Sequence, residues 1–428
     1  MKIALIGAGG VRTPLLVEAF CCSKLPLETL ALYDTDRKRL EAMASISRHL
    51  SGGVSLEICE SSAEAIENAD FVFTSIRVGG FESRAHDEAV TQAHSIAGQE
   101  TVGPGGMAMA LRNAQPLIGY AREVAQLAPD AWLVNFTNPV GILTQVVQEA
   151  TQAKVIGICD TPTELFAEVA RALGLERSQC HFDYFGLNHL GWLREVYVRG
   201  EPRIHLLWND AEKLARIYRA PLFEPEFLAS LKLLPTEYLY YYYRSQDAFE
   251  NTRRAGVTRG QTIRRLNRQL FRDLARRDAD ELKTYRTYLA DRDAGYFEIE
   301  SGESTSSDPD PTTGYHQIAL AVVQAIHFYT GATLPLNVRN QGNFPFLEEE
   351  DVVEVPCAVG SNGPLALQVE PVPDGVGKLM AQVKGYERLT VQAALTRSRE
   401  LAIEALANHP LVEDLPLARK LMDALEVP

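Results

Sequence analysis

The chain has 428 residues and no run of about 18 apolar ones. That excludes a membrane-spanning helix, which needs roughly 20. Cysteine is scarce. The six are Cys21, Cys22, Cys59, Cys159, Cys180 and Cys357, with no regular spacing. A disulfide framework is therefore not what supports the fold, and a reducing cytoplasm is the expected setting. Basic side chains are in the minority, with 42 Lys+Arg against 56 Asp+Glu and a net charge of −14. Such a chain is a poor non-specific binder of nucleic acid or anionic membrane, although a local basic patch can still hold a small anion. Internal repeats and Gly/Ser linkers are also missing, so no boundary is marked between parts. Apolar side chains are plentiful at 46%, enough for two domains with real cores. The apolar start, Met1–Gly7, is too short for a leader and reads as a first buried strand.

The first half alternates. Apolar strand candidates lie at Lys2–Ile6, Thr29–Tyr33, Ser55–Cys59, Phe71–Ile76, Trp132–Phe136 and Lys154–Cys159. Helical spacing fills Pro14–Phe20, Arg37–Leu50 and Ala108–Leu127. This rhythm predicts a doubly wound parallel sheet with helices on both faces. After about Cys180 it changes. Gln261–Asp291 reads as one long charged helix, Ser301–Pro311 as a polar loop and Gly314–Tyr329 as an amphipathic helix. Val352–Cys357 is strand-like, and Gly375–Asn408 is helical almost throughout. The second half is expected to be mixed α+β, rich in long helices, and to share a cleft with the first.

Gly7, Gly9 and Gly10 follow the first strand. Glycines there let backbone approach a pyrophosphate at a helix N-terminus. The full G-x-G-x-x-G is not present, since Thr13 stands at the third position, and a plain tight turn is the competing reading. Asp34 ends the second strand 24 residues after Gly10, where a carboxylate meets adenosine ribose hydroxyls. An acid there favours NAD over NADP, whereas Arg37, Lys38 and Arg39 weaken that preference. Cys159 lies at a strand's carboxyl end, and His189 lies 30 residues on. One thiolate and one imidazole with open positions suit a divalent first-row metal. Each residue alone is more often explained by packing. The run Tyr238–Tyr243 reads as core or as a stacking platform. A tyrosine can also serve as base if a cation lowers its pKa. Arg77, Arg84, Arg112 and Arg259 are candidate anion ligands.

Longer blocks occur in order along the chain. They are Gly7–Gly10 with Thr13-Pro14, Ile76–Gly80 with Arg84, Asp87 and Glu88, Gly98–Gly106, and Asn135–Pro139. Gly157–Asp160, Gly186–Trp192, Asn337–Gly342, Val353–Cys357 and Asn408–Val412 follow. Together they resemble glycoside hydrolase family 4, the NAD- and divalent-metal-dependent glycosidases, nearest the 6-phospho-β-glucosidase branch.

The resemblance implies a Rossmann-type domain over residues 1–180 that holds NAD. It implies a substrate-binding and oligomerisation domain over residues 181–428, in a homodimer or homotetramer. Gly7, Gly9, Gly10, Asp34 and Arg77 are then cofactor contacts. Cys159 and His189 are the Mn²⁺ ligands, and Arg84, Asn138, Asp160 and Arg259 meet a phosphoglycoside. Tyr238 matches the catalytic base, with Tyr241 as the fallback. The implied reaction is NAD-dependent C3 oxidation, metal-assisted C2 deprotonation, elimination, water addition and re-reduction, an exception to the usual two-carboxylate scheme. Two positions depart from the branch. Asp160 stands where the 6-phospho-β-glucosidases usually carry Asn and the α enzymes an acid. Val11-Arg12 replaces small polar residues. An α-linked, dual-anomer or unphosphorylated substrate is therefore the alternative within the family. An NAD-dependent hydroxy-acid dehydrogenase is the alternative of another class.

Overall fold

Short apolar runs that end in glycine, aspartate or asparagine dominate the first half, and each becomes a parallel strand. The computed structural model describes residues 1–276, 280–304, 310, 312–412 and 414–427. Strands β1 (Lys2–Ile6), β2 (Thr29–Tyr33), β3 (Ser55–Ile58), β4 (Phe71–Thr74), β5 (Trp132–Asn135) and β6 (Lys154–Gly157) pair in the order 3-2-1-4-5-6. That is the dinucleotide-binding order. Helices α1 (Thr13–Cys21), α2 (Arg37–Arg48), α3 (Ser62–Ile66), α4 (Gly80–Ala93), α5 (Gly103–Leu127), α6 (Val140–Ala150) and α7 (Thr161–Leu173) connect or follow them. Several predicted strands end one or two residues early, because the chain turns away where the site residues begin.

The sheet does not stop at β6. Strands β7 (Cys180–Leu187), β8 (Leu190–Val198), β9 (Glu201–Pro202), β10 (Leu234–Pro235), β11 (Ala332–Arg339), β12 (Val352–Gly360) and β13 (Gly363–Ala366) extend it to 13 strands among the described residues. Its path continues from β6 through β11, β12, β7 and β8 to β10, now antiparallel. Of these later strands, alternation in the sequence had marked only the start of β12. The others are short or interrupted by glycine or proline, so their period of two is weak.

At the junctions the backbone ladder is thin. Strand β6 meets β11 only through Gly157 and Asn337, and β12 meets β7 only through Glu354 and Gly186. Gly157 is required there, since a Cβ would sit 2.5 Å from Thr144 Oγ1 and 2.7 Å from Asn337 Cβ. Side chains make up for the missing ladder. The Glu354 carboxylate, 1% exposed, accepts from Tyr184 Oη (2.7 Å), Asn337 Nδ2 (2.8 Å) and Asn188 Nδ2 (3.4 Å). Asn188 Oδ1 in turn accepts from the Val140 backbone N–H at the start of α6 (3.1 Å).

Two long helices read from the sequence are each split. The stretch 261–291 is a pair, Arg259–Leu274 and Glu281–Ala294, and Asp280 caps the second by accepting from the Lys283 N–H. The stretch 375–408 breaks at Arg397, which is left-handed (φ +58°), and Ser398 caps the next helix. Helical periodicity persists through such breaks, so only the caps reveal them. The loop expected over 301–311 starts later, because Glu298–Ser301 is a short helix. Residues 305–309 and 311 lie outside the described residues. Among the described residues no helix is long and apolar enough to cross a membrane.

Replacing Glu354 by Ala strands two asparagine amides and the Tyr184 hydroxyl in the interior. The expected cost is about 3 kcal/mol, since each orphaned buried donor costs roughly 1–3. Urea unfolding midpoints measure it; a loss below about 1 kcal/mol would mean that the junction does not need this carboxylate.

Candidate active site

Strand register decides where the functional side chains gather. One row of pairing partners crosses the sheet: Tyr33, Ile6, Thr74, Asn135, Gly157, Asn337, Glu354, Gly186. In the parallel half the chain leaves each strand just beyond this row, at Gly7, Asp34, Ser75, Phe136 and Ile158. Ligands bind at this carboxyl edge in open α/β sheets. A single cleft of about 2060 Å³ opens here, and all twelve residues to which the resemblance assigns a cofactor, metal, substrate or base role line it.

The glycine loop forms one end. Gly7 has φ +91°, and a Cβ there would lie 2.3 Å from the Ser75 carbonyl oxygen. Asp34 accepts from the backbone N–H groups of Gly9 and Asp36, both at 2.8 Å. Burial raises its pKa, against those hydrogen bonds. Gly9 and Gly10 face the same space as Asp34. The helix pair from the second half roofs this end, with the Arg39 guanidinium 4.1 Å over the Phe271 ring.

A basic wall follows. Glu100 lies between Arg77 (2.5 Å) and Arg84 (2.8 Å), and Arg84 also pairs with the buried Glu88 at 2.8 Å. Burial alone would raise the Glu100 carboxyl, but Arg77 and Arg84 outweigh it and hold it at about 2. Arg259 is the first residue of its helix, set by a Thr258–Gln261 capping box, and it donates to the Arg292 carbonyl. Burial lowers its pKa, and the nearby charges of Arg84 and Arg292 add to this. Four guanidiniums thus face three carboxylates, Glu88, Glu100 and Glu300, and one Glu300 oxygen is buried without a partner. An extra anion neutralises such a wall. Sequence reasoning missed Arg292 and Glu300, which stand in no motif. Arg112, considered as an anion ligand, instead pairs with Asp87.

The third part is a thiol–imidazole pair. Cys159 Sγ lies 3.5 Å from His189 Nε2, and His189 Nδ1 lies 2.8 Å from Thr101 Oγ1. Burial lowers the His189 pKa to about 4, so the ring is neutral at pH 7. Burial, with Glu354 and Asp160, pushes the Cys159 thiol well up. Asn138 lines the same space, and its Oδ1 is buried without a partner. Among the described residues no third His, Cys, Asp or Glu completes a cluster. A sulfur, an imidazole nitrogen and an orphaned amide oxygen fit a divalent metal that keeps positions open for oxygen ligands.

The tyrosine run is neither all core nor all platform. Tyr238 stacks on His189 with centroids 3.8 Å apart and planes 3° apart. Tyr241, 6.4 Å from Tyr238, lies toward Glu300 and Arg84. Tyr243 accepts from the Trp192 indole at 3.1 Å, and Tyr242 lies 3.4 Å from His409. Burial, then Glu237 and Glu100, raises the Tyr238 phenol well above its usual pKa. Opposite the basic wall, Asp160 pairs with Arg12 at 3.4 Å, and Arg12 lies 5.2 Å over the Phe136 ring. Burial lifts Glu237 to about 7, although it accepts from Tyr296 Oη at 2.7 Å.

Fold and site together define a class: a dinucleotide-type fold whose cleft combines a wall of arginines with a thiol–imidazole pair. The sequence pattern of the Family 4 glycosyl hydrolases matches residues 2–175, and that of their C-terminal domain matches residues 184–412. The chain belongs to this family. It is 29% identical over 433 residues to the 6-phospho-beta-glucosidase of Escherichia coli, covering 96% of this chain and 91% of that one. It is 28% identical over 448 residues to a phospho-alpha-glucosidase of Clostridium acetobutylicum, covering 99% and 96%. The crystal structure of the 6-phospho-beta glucosidase of Thermotoga maritima superposes with a TM-score of 0.83 at 26% identity, covering 99% and 97%. That structure holds manganese, NAD⁺ and glucose-6-phosphate.

Replacing Glu100 by Gln leaves Arg77 and Arg84 short of a counter-charge. The expected loss is about 3 kcal/mol at pH 7, the scale for breaking a buried pair. The sign with pH follows from its lowered pKa. The wild-type contribution is present above about 4.5 and fades as pH falls toward 2. Unfolding curves of the two proteins should therefore converge over that range; a constant gap would refute the pairing.

Proposed function

We propose that this enzyme hydrolyses 6-phospho-β-glucosides in the cytoplasm. The reaction is NAD-dependent oxidation at C3, deprotonation at C2, elimination, water addition and re-reduction. The observation that carries the reading is the single cleft. It brings a dinucleotide loop, a wall of arginines, a thiol–imidazole pair and a stacked tyrosine to one space. Phosphoglucosides are the substrates named for the relatives above, and the solved Thermotoga enzyme holds glucose-6-phosphate.

Gly7, Gly9, Gly10, Asp34 and Arg77 would hold NAD, with residues 1–180 as its domain. Residues 181–428 would close the sugar site and build a homodimer or homotetramer. Arg84 and Arg259 orient the sugar by its phosphate, and Asn138 and Asp160 orient the hydroxyl side. Cys159 and His189 would hold Mn²⁺. When bound, NAD⁺ accepts hydride and the divalent ion polarises sugar oxygens. Tyr238 takes the C2 proton on its phenolic oxygen. Its surroundings disfavour the phenolate, so cationic charge beside His189 is needed to lower its pKa. Tyr241 is farther from Cys159 and His189 and is the less suited base.

A second reading, α-linked or dual-anomer substrates, is favoured by Asp160. It presents a carboxyl, not an amide, next to the metal pair, and Arg12 anchors it. A net hydroxy-acid dehydrogenase is disfavoured by the glycosidase family, and it would accumulate NADH. The deciding assay is a panel of α and β chromogenic glucosides with and without 6-phosphate, run with NAD⁺ and Mn²⁺ under reducing conditions. Turnover of the 6-phospho-β substrate is expected, with deuterium at C2 of the sugar released in D₂O. Preference for an α substrate would install the second reading. Turnover without deuterium would remove the elimination route.

Cys159→Ser exchanges a soft ligand for a poor one. Mn²⁺ affinity, measured as free ion by electron paramagnetic resonance, should fall at least about tenfold, and NAD⁺ affinity should hold. Unchanged Mn²⁺ binding would take Cys159 out of the site.

A further inference from the structure

The segment Gly98–Thr101 connects the basic wall to the thiol–imidazole pair. Glu100 sits among the arginines, and Thr101 touches His189. A chain of hydrogen bonds with forced direction runs through it. The backbone N–H groups of Thr101 and Val102 both point at Gln99 Oε1, the latter at 2.8 Å. Backbone N–H groups only donate, so the atom they meet is the amide oxygen, and the Gln99 side chain has one permitted orientation. The Thr101 hydroxyl lies 2.8 Å from that same oxygen. An amide oxygen only accepts, so the hydroxyl spends its single proton on it. What Thr101 Oγ1 turns toward His189 Nδ1, 2.8 Å away, is then a lone pair. His189 Nδ1 must carry the ring proton. Nε2 is left with its lone pair facing Cys159 Sγ at 3.5 Å. The Tyr238 stack holds the plane of the ring and leaves its tautomer free.

We propose that Thr101, held by Gln99, is a positioning residue that sets His189 in the one tautomer able to bind a metal through Nε2. The proposal rests on the reading of Cys159 and His189 as metal ligands. A metal-bound histidine needs its other ring nitrogen to donate, and losing that outer partner costs about 10–100-fold in metal affinity. Here the partner is a hydroxyl, which can accept or donate. Only the second link, to Gln99, makes it an acceptor. That is why a neutral threonine can do what a carboxylate or carbonyl does elsewhere.

The test uses the full-length protein loaded with NAD⁺ and titrated with Mn²⁺, free ion being read by electron paramagnetic resonance. Thr101→Val keeps the volume and removes the hydroxyl. Its Mn²⁺ affinity is expected to fall about 10–100-fold, with NAD⁺ affinity and melting temperature unchanged. Thr101→Ser restores the acceptor and should return the affinity to within about threefold of wild type. A purely structural role would lower the melting temperature and leave Mn²⁺ affinity alone. The ¹⁵N shifts of the His189 ring supply a direct signature. Wild type should show protonated Nδ1, and Thr101→Val a mixture of tautomers. If the valine variant does not fold, Thr101→Ala is read in the same way. Wild-type Mn²⁺ affinity in a folded Val or Ala variant overturns the proposal. His189→Ala separates the two levels. If it too binds Mn²⁺ normally, the ligand assignment has failed. If it loses Mn²⁺ while Thr101→Val does not, only the role of Thr101 has failed.

Discussion

The buried carboxylate of Glu354 is the constraint on which the rest of the site depends. The parallel sheet meets the strands of the second half through a single backbone pair, Gly157–Asn337, and within the second half β12 meets β7 through another, Glu354–Gly186. So thin a ladder would leave the two halves free to shear. Glu354 closes the gap with side chains from β7, β11 and the turn that carries His189. Burial pushes its carboxyl up to about 7 in spite of three donors. The fold tolerates an ionisable group in the interior because apolar residues there could not bridge the register. Cys159 follows β6 and His189 follows β7, so the distance between them is set at this joint.

The charge layout follows from the same geometry. A protein with a net charge of −14 keeps four arginines along one wall of its cleft, where Glu88 and Glu100 hold Arg77 and Arg84 and the Arg292 carbonyl holds Arg259. Pairing does not spend their binding capacity. A guanidinium has five N–H donors, and Arg84 commits Nε to Glu88 and one terminal nitrogen to Glu100. The preformed pairs fix the guanidinium planes in advance, which lowers the ordering cost when an anion arrives. The opposite wall carries Asp160, Glu164 and Glu237. Burial and mutual repulsion raise the last two, with Arg12 and Arg219 opposing. A substrate with an anionic end and a hydroxyl-rich end matches this polarity.

The two places where the chain departs from the 6-phospho-β branch turn out to touch. Arg12 lies in the glycine loop and Asp160 after β6, 148 residues apart, yet they form an ion pair at 3.4 Å. The Phe136–Tyr315 stack supports the guanidinium from below, with ring centroids 3.6 Å apart. An acid at 160 without a cation at 12 would face Glu164 and Glu237 with Arg219 left to oppose them. The pair links the glycine loop to the chain that follows β6.

The sequence by itself determined the parallel half and its edge. Ile3–Ile6, Leu30–Leu32 and Phe71–Phe73 are apolar because they are covered on both faces, and the glycines and Asp34 stand where such strands must end. The ordered motifs likewise marked which residues to watch. Tertiary structure alone decided the rest. It continued the sheet through β11, β12, β7 and β8, of which the sequence marked only the start of β12. It split the long helices at caps that periodicity passes over. It divided the tyrosine run, bringing Tyr238 to His189 and Tyr243 to Trp192, a choice that depends on which neighbours surround each ring. It brought in Arg292 and Glu300, which stand in no motif, and it set Thr101, whose motif does not show what it touches, against His189. Local propensity is a property of neighbours in the chain, whereas a site is built from neighbours in space.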